Sequence, residues 1–478
     1  MSITFFAAAI IYLAVLLAAG LRLTKRHEGM ESFFLASRRL GAPRVAFSLC
    51  ASWIGATSLL VSTDQACREG LSALWIIGIP AVVTLILFLP MARAIRLLKG
   101  MTISDIIEER YGSAARMVTT ILLVWYMMVL AASQMVAAGT FLKTFLGTSY
   151  LVSLAVAAAV VLLYAGAGGF VSVVRTQSFQ FFLLMSGIAA MVASLWIRSP
   201  LSAVRDAARS LGKARYFDFF AQADRNILIA LSFILAWTIS PIAWQRIQAA
   251  KGDRSARLGL GGAAFFLGFF YTGIVVAGLL FLPIFPELDR PGPVISAYIL
   301  GRAGTVIGSL LFVTVMAAIM STMVAAVNAG AFSLTRDLQR YTGMADETRS
   351  VAWGRAATLV IGAGALLVAT RFQDILKTLG LASKIMAEGL FIPGLAAMVM
   401  KKKAPRAGLF SLIAGGGFAL LCFVNEAGLL ALPVPAWPRS LLHGLALSGL
   451  GFALGLLYDR LKPQRGTVPP GGDCPLQA

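Results

Sequence analysis

The chain has 478 residues, 59% of them hydrophobic and 13% charged, with a mean hydropathy of +0.83 and a formal net charge of +20. This composition excludes a soluble globular protein and indicates a polytopic membrane protein, with no polar stretch long enough for a second, soluble domain. Cys50, Cys67, Cys422 and Cys474 show no CxxC or metal-ligand spacing, and the two histidines, His27 and His443, stand far apart, so a zinc or thiol enzyme is not expected.

Apolar runs of about 20 residues predict 13 transmembrane helices, at 2–23, 43–66, 71–96, 115–146, 149–166, 170–197, 226–249, 257–284, 300–338, 351–371, 374–399, 405–425 and 438–460. The 46 glycines suit closely packed membrane helices. The first run has no basic residues before it and no small-residue cleavage site, so it reads as a helix and not as a removed signal. With the N-terminus outside, 27 of the 41 basic residues fall on the inner side, from Arg22 in the first loop through Arg116, Arg246 and Arg336 to Arg465 in the tail. That asymmetry is the positive-inside pattern of a cell inner (plasma) membrane protein and replaces nucleic acid as the explanation of the charge; the odd helix count puts the C-terminus in the cytoplasm. The outer loop Arg198–Arg225 is the exception, and Ser199–Phe220 reads as a basic amphipathic helix at the membrane surface with Pro200 in its first turn. The Pro- and Gly-rich tail after Pro463 is expected to be disordered.

Along the chain, the loop after the first span runs into MESFFLASRRLGAPRVAFSLCASWIGATSLL, and the second span carries Ser52, Gly55, Thr57 and Ser58 at its middle. Polar and glycine residues at bilayer depth either break the helix to line a site or form a small-residue packing face; both readings are open. The third span leaves the membrane into GMTISDIIEERYGSAAR, a short helix that Ser104 or Asp105 can cap. Gln134 places an amide in the apolar fourth span, where it bonds a neighbouring helix or a substrate. The stretch YAGAGGFVSVVRTQSFQ covers 164–180, and the seventh span, NILIALSFILAWTISPIAWQRIQAAKGDRSARLG, is interrupted by Pro241 with Trp237, Thr238 and Ser240 around the gap. Two interrupted helices five spans apart point to an inverted repeat of five plus five helices, with the binding site at the midplane.

The ninth span, MAAIMSTMVAAVNAGAFSLTRD at Met316–Asp337, sets Ala318, Ser321 and Thr322 on one face at i, i+3 and i+4. Hydroxyls beside an exposed carbonyl suit a hard cation such as Na⁺; the same pair also suits back-bonding to the i−4 carbonyl or close helix packing. The eleventh span, LGLASKIMAEGLFIPGLAAMVMKKKAPRAGLF, holds Lys384 and Glu388 at i, i+4 within the bilayer. Such a pair is a functional hypothesis by default: the two neutralise each other, or Lys384 meets a substrate carboxylate, or it titrates.

Over residues 30–410 these motifs, in this order, resemble the sodium/solute symporter family: the FFLASRRLG approach to a broken helix, the short inner helix, Gly168, Gly169, Thr176 and Gln180 of the fifth-to-sixth junction, the QR and AAK segment after the seventh span, and the PG and basic exit of the eleventh. The resemblance implies an all-α fold of two inverted five-helix repeats with discontinuous first helices. The repeats would span 43–197 and 226–399, flanked by a peripheral helix in 1–24, two more in 405–460 and the cytoplasmic tail 463–478. It implies a sodium site of the Ala51, Ile54 and Ala318 carbonyls with the Ser321 and Thr322 hydroxyls. In members with a second sodium site an aspartate stands where this chain has Gln177, and polar residues follow the hydroxyl pair where this chain has Met323, Val324 and Ala325, so a single Na⁺ is expected. The substrate pocket is expected between spans two, four, seven and eleven, with Trp53, Ser58, Gln134, Trp237, Ser240 and Lys384 as candidates. The expected activity is sodium-coupled import of a small polar solute, amino-acid- or carboxylate-like, with the bilayer and that solute as the only partners and no nucleic acid or obligate protein partner. The alternatives are a proton-coupled or sodium-independent carrier using Lys384, Glu388 or Asp64, and a transporter-like sensor, against which no signalling domain follows. A membrane enzyme would need a nucleophile, base or metal constellation that is missing from the sequence.

Overall fold

A computed structural model describes residues 3–21, 34–97, 102–287, 293–301, 303–343, 347–400 and 402–461. The tail 463–478, His27, Cys474 and the basic residues Arg22, Lys25, Arg26, Lys99, Lys401, Lys462 and Arg465 lie outside them. The described residues are helical throughout, apart from turns and a single parallel bridge between Leu40 and Ala250.

Helix α1 is Ile3–Leu21, α2 Ala42–Trp53 and α3 Ser62–Glu69, joined to α2 by a non-helical step and the π-helical turn Thr57–Val61. Then come α4 (Gly78–Leu97), α5 (Ile103–Tyr111), α6 (Ser113–Leu146), α7 (Tyr150–Arg198) and α8 (Leu201–Ser210). The second half holds α9 (Ala223–Thr238), α10 (Pro241–Gln248), α11 (Asp253–Phe281), α12 (Val294–Gly301), α13 (Thr305–Thr342), α14 (Glu347–Arg371), α15 (Ile375–Lys384), α16 (Phe391–Val399), α17 (Pro405–Glu426) and α18 (Ser440–Leu461).

Nine helices among the described residues are long and apolar enough to cross a membrane, or ten if α9 and α10, which meet at 41°, form one broken span. Helix occupies every predicted span, but the count of thirteen is not reproduced. Where two spans were predicted at 149–166 and 170–197, α7 runs unbroken for 49 residues, because the glycine-rich 165–169 contains no proline and glycine alone can follow helical dihedrals. The second half of the broken helix likewise continues through a 3₁₀ turn at Gly70–Trp75 into α4.

Local chemistry explains most of the other boundaries. Thr102 caps α5: its hydroxyl accepts from the Asp105 amide and the Asp105 carboxylate accepts from the Thr102 amide, so Asp105 takes part in the cap as predicted, but the N-cap residue is Thr102 and not Ser104. The surface helix is shorter than predicted and ends before Gly212, whose φ of +66° leaves the helical region. The loop beyond it is pinned where Tyr216 Oη donates to the carbonyls of Ala66 and Cys67.

At the centre lies α13, buried along nearly its whole length. Its far end is tied to α5 and α6 through Arg116, which is 1% exposed. The guanidinium meets Asp337 at 2.5 Å, Glu108 at 2.5 Å and Asp105 at 3.0 Å. Counted from the sequence as a loop cation, Arg116 is instead the hub of a buried ionic cluster.

A candidate sodium and solute site at two broken helices

The interruption of α2 follows from who takes its backbone donors. The Ile54 amide still reaches Cys50 O at 2.8 Å, but Ile54 has ψ 82°, so the Gly55 amide turns to Trp53 O at 3.0 Å and the Ala56 amide to the Gln134 side-chain oxygen at 2.9 Å. In a continuous helix those two amides would bond the carbonyls of Ala51 and Ser52. The break therefore releases those carbonyls at a depth where water cannot satisfy them. Gln134 serves here as a surrogate helix acceptor, the neighbouring-helix alternative of the sequence reading.

The ninth predicted span, α13, faces this break. Ser321 Oγ donates to Ala318 O at 3.1 Å, and Ser321 O accepts from Gln177 Nε2 at 2.9 Å. Thr322 Oγ1 is buried and has no hydrogen-bond partner. A Cβ on Gly55 would stand 3.0 Å from that hydroxyl and 2.7 Å from Gln134 Oε1, so only glycine admits this approach of the three elements. Ala51, Ile54, Ala318 and Ser321 are completely buried and Thr322 is 5% exposed. Freed carbonyls on one side and an unpartnered hydroxyl on the other are the donor chemistry of a hard, oxygen-seeking cation.

Beside this junction lies a pocket. Trp53, Ser58, Gln134, Trp237 and Ser240 line it, together with Thr322, with Thr57, noted at the middle of the second span but not among the pocket candidates, and with Tyr126, which the sequence reading missed. The indoles of Trp53 and Trp237 lie 5.4 Å apart at 39°, and Phe233 stacks on Trp237. Ser58 pairs with Tyr271 Oη at 2.7 Å. Pro241 sits at the first position of α10, where its missing N–H costs nothing, so the second break brings Trp237 and Ser240 to the pocket from the far side. No charged side chain lines it.

Lys384 does not line this pocket. It follows Leu379, which does, by five residues, about 140° around the helix. Its ammonium points instead toward the C-terminal helices, where it donates to Ser440 Oγ at 2.6 Å, lies over the Phe418 ring at 5.4 Å and stands 3.6 Å from Glu388. Glu388 belongs to the π-helical turn Ile385–Leu390, and neither of its buried oxygens accepts a hydrogen bond. Asp64 accepts from the Val294 amide at 2.8 Å, at the start of α12.

Arg246, counted as a loop cation, is wholly buried on α10. Its guanidinium donates to Ser48 Oγ, Ile242 O and Gln177 Oε1, each at 2.8 Å. Gln177 thereby joins α7 to both α10 and α13.

The chain is 24% identical over 466 residues to a sodium/pantothenate symporter of Escherichia coli, covering 92% of this chain and 93% of that one. It is 23% identical over 472 residues to a sodium/proline symporter of Staphylococcus aureus, covering 92% and 87%. The substrate-bound, outward-open structure of a Na⁺-coupled sialic acid symporter superposes with a TM-score of 0.81 at 16% identity, covering 96% of this chain and 98% of that one, which establishes a shared fold. The family model described as sodium:solute symporter family matches residues 33–415, and with most of its length inside that match the chain belongs to the sodium:solute symporter family.

Proposed function

We propose that this transporter couples the inward movement of one Na⁺ to that of one small, polar organic solute. The observation that carries the reading is Thr322 Oγ1, buried without a partner against the point where α2 releases its carbonyls. An apolar core leaves a hydroxyl unpaired only at a cost of about 1–3 kcal/mol, which an ion ligated there would offset. The ligands are the carbonyls of Ala51, Ile54 and Ala318 and the hydroxyls of Ser321 and Thr322. Met323, Val324 and Ala325 offer no side-chain ligands for a second ion. The relatives named for sodium symport support the coupling ion.

The solute faces two indoles, several hydroxyls and one amide, with no charged group among the lining residues. That lining favours a solute of balanced charge, such as a neutral molecule or a zwitterion, whose polar groups meet Ser58 and Ser240 while Trp53 and Trp237 cover its apolar part. Amino-acid-like solutes fit this description; recognition of a bare carboxylate through Lys384 does not. Sodium bound at the junction ties α2 to α13, stabilises the outward-open arrangement and completes the pocket wall at Thr322, and its release inward loosens both. The two five-helix repeats and the orientation with the C-terminus in the cytoplasm belong to this proposal. One ion is enough to drive accumulation. A charge falling through roughly 100 mV yields about 2.3 kcal/mol, and a tenfold sodium gradient raises the total to about 3.7 kcal/mol, equivalent to roughly 500-fold enrichment of a neutral solute.

The test is thermal stability of the purified protein titrated with NaCl against KCl at constant ionic strength. The native chain is expected to be stabilised by Na⁺ alone and Ser321→Ala to lose the effect; equal responses to both salts in the native chain would sink the reading. A second reading, proton coupling through Glu388, is favoured by the two carboxylate oxygens that lack donors; it requires uptake driven by a pH gradient in the absence of Na⁺.

A further inference from the structure

We propose that Arg246 is a built-in positive charge that sets the affinity of the adjacent sodium site, keeping the ion weakly enough held to be released. The proposal rests on the sodium reading above and adds a residue and a sign to it.

Arg246 is 0% exposed inside a membrane-embedded helix, and no carboxylate pairs with it among the described residues. Its hydrogen bonds go only to neutral acceptors, Ser48 Oγ, Gln177 Oε1 and Ile242 O, and the ring of Phe170 lies 5.5 Å from the guanidinium carbon. Arg116, the other fully buried arginine among the described residues, has three carboxylates. A solvated charge costs nothing, but a buried one without a counter-charge is expensive, and its field is poorly screened.

Both side chains that hold the guanidinium lead to the sodium residues. Ser48 lies one turn before Ala51 on the same face of α2. Gln177 accepts from Ser48 Oγ at 2.7 Å and from Arg246, and with its other end grips the carbonyl of Ser321 at 2.9 Å. The guanidinium is therefore one side chain removed from the ion on each side, close enough for like-charge repulsion in a low-dielectric interior and too firmly bonded to swing away. Repulsion between such neighbours changes an ionic equilibrium by tenfold or more.

Gln177→Glu places a carboxylate against the guanidinium with little change of shape. In the Na⁺-against-K⁺ stability titration of the full chain, the half-saturating Na⁺ concentration is expected to fall on the order of tenfold with a Hill coefficient still near 1. Gln177→Met, equal in length and uncharged, is expected to leave the half-saturation unchanged or to raise it; a purely structural role for Gln177 predicts weakening in both variants. Arg246→Gln reaches the neutral state from the other partner and is expected to tighten binding as well. The proposal is overturned if neither charge-neutralising variant that folds binds Na⁺ more tightly than the native chain, or if Gln177→Glu raises the Hill coefficient toward 2, since the carboxylate would then be recruiting an ion and not balancing Arg246. A native protein indifferent to Na⁺ over K⁺ would remove the sodium site itself, and the proposal with it; a native protein that discriminates while the variants do not shift would remove only the role of Arg246.

Discussion

Gly55→Ala adds a single methyl at the junction of α2, α6 and α13, and the structure says what that methyl meets. It would lie 2.7 Å from Gln134 Oε1 and 3.0 Å from Thr322 Oγ1, both inside contact distance. The carboxamide is the softer neighbour but is not free, because it accepts from the Ala56 amide at 2.9 Å and its nitrogen donates to Ser133 Oγ at 3.1 Å. Moving it strands a buried N–H, a loss of about 1–3 kcal/mol in stability. Thr322 must also retreat by a few tenths of an ångström, which would spoil one ligand of the proposed cation site. A tenfold weaker site would cut the stabilisation available at a sodium concentration one hundred times the native Kd from about 2.7 to about 1.4 kcal/mol. Both effects are read in one experiment, the stability of native and Gly55→Ala protein at zero and saturating Na⁺. A variant with native Na⁺ half-saturation would refute the claim that Gly55 holds the hydroxyl at the ion, whatever its effect on stability.

Two other substitutions examine the buried charges. Asp337→Ala removes the carboxylate that accepts from two nitrogens of Arg116 and leaves Asp105 and Glu108 in partial compensation, so the loss is expected at the low end of the range for breaking a buried pair, about 3 kcal/mol; a loss below about 1 kcal/mol in reversible denaturation would show that the cluster is wet. Glu388→Gln leaves the Lys384 ammonium without its counter-charge and is expected to cost about 3–5 kcal/mol, most of it recovered in the double variant Lys384→Met/Glu388→Leu. If Glu388→Gln is as stable as the native protein, Glu388 is already protonated in the folded state and the proton reading gains ground.

Much of the candidate site was legible because its cause is local. Gly55 with its polar neighbours, Pro241, and the face shared by Ala318, Ser321 and Thr322 each mark a helix through the backbone chemistry of a few residues, and all three fall at the junction or along the pocket wall. Features that depend on helix rotation or on distant partners were not legible. The i, i+4 spacing guaranteed that Lys384 and Glu388 would meet, but not that their face would turn away from Leu379 and the pocket toward Ser440 and Gly444, where a Cβ would come within 2.2 Å of the Glu388 carboxylate. Tyr126 reaches the pocket from an otherwise apolar stretch of α6 and carries no signal of its own. The boundary between 149–166 and 170–197 is not marked by a break in the helix, because a run of glycines reads as a turn in sequence and can still be continued as helix.

The sequence reading singled out Lys384 and counted Arg246 among the loop cations, and electrostatics explains why the difference matters. Lys384 stood out because it interrupts an apolar run, yet it brings its own counter-charge 3.6 Å away, so the pair presents a dipole whose field falls off quickly. Arg246 sits near the end of a predicted span, next to the basic loop of Lys251, Arg254 and Arg257, and a count by position assigns it to solvent. Folding places it instead against Ser48 and Gln177, with no carboxylate to close its field among the described residues. A lone charge acts over a longer range than a dipole. For the Na⁺ site proposed above, the embedded cation with most leverage is therefore the one whose sequence context looked ordinary.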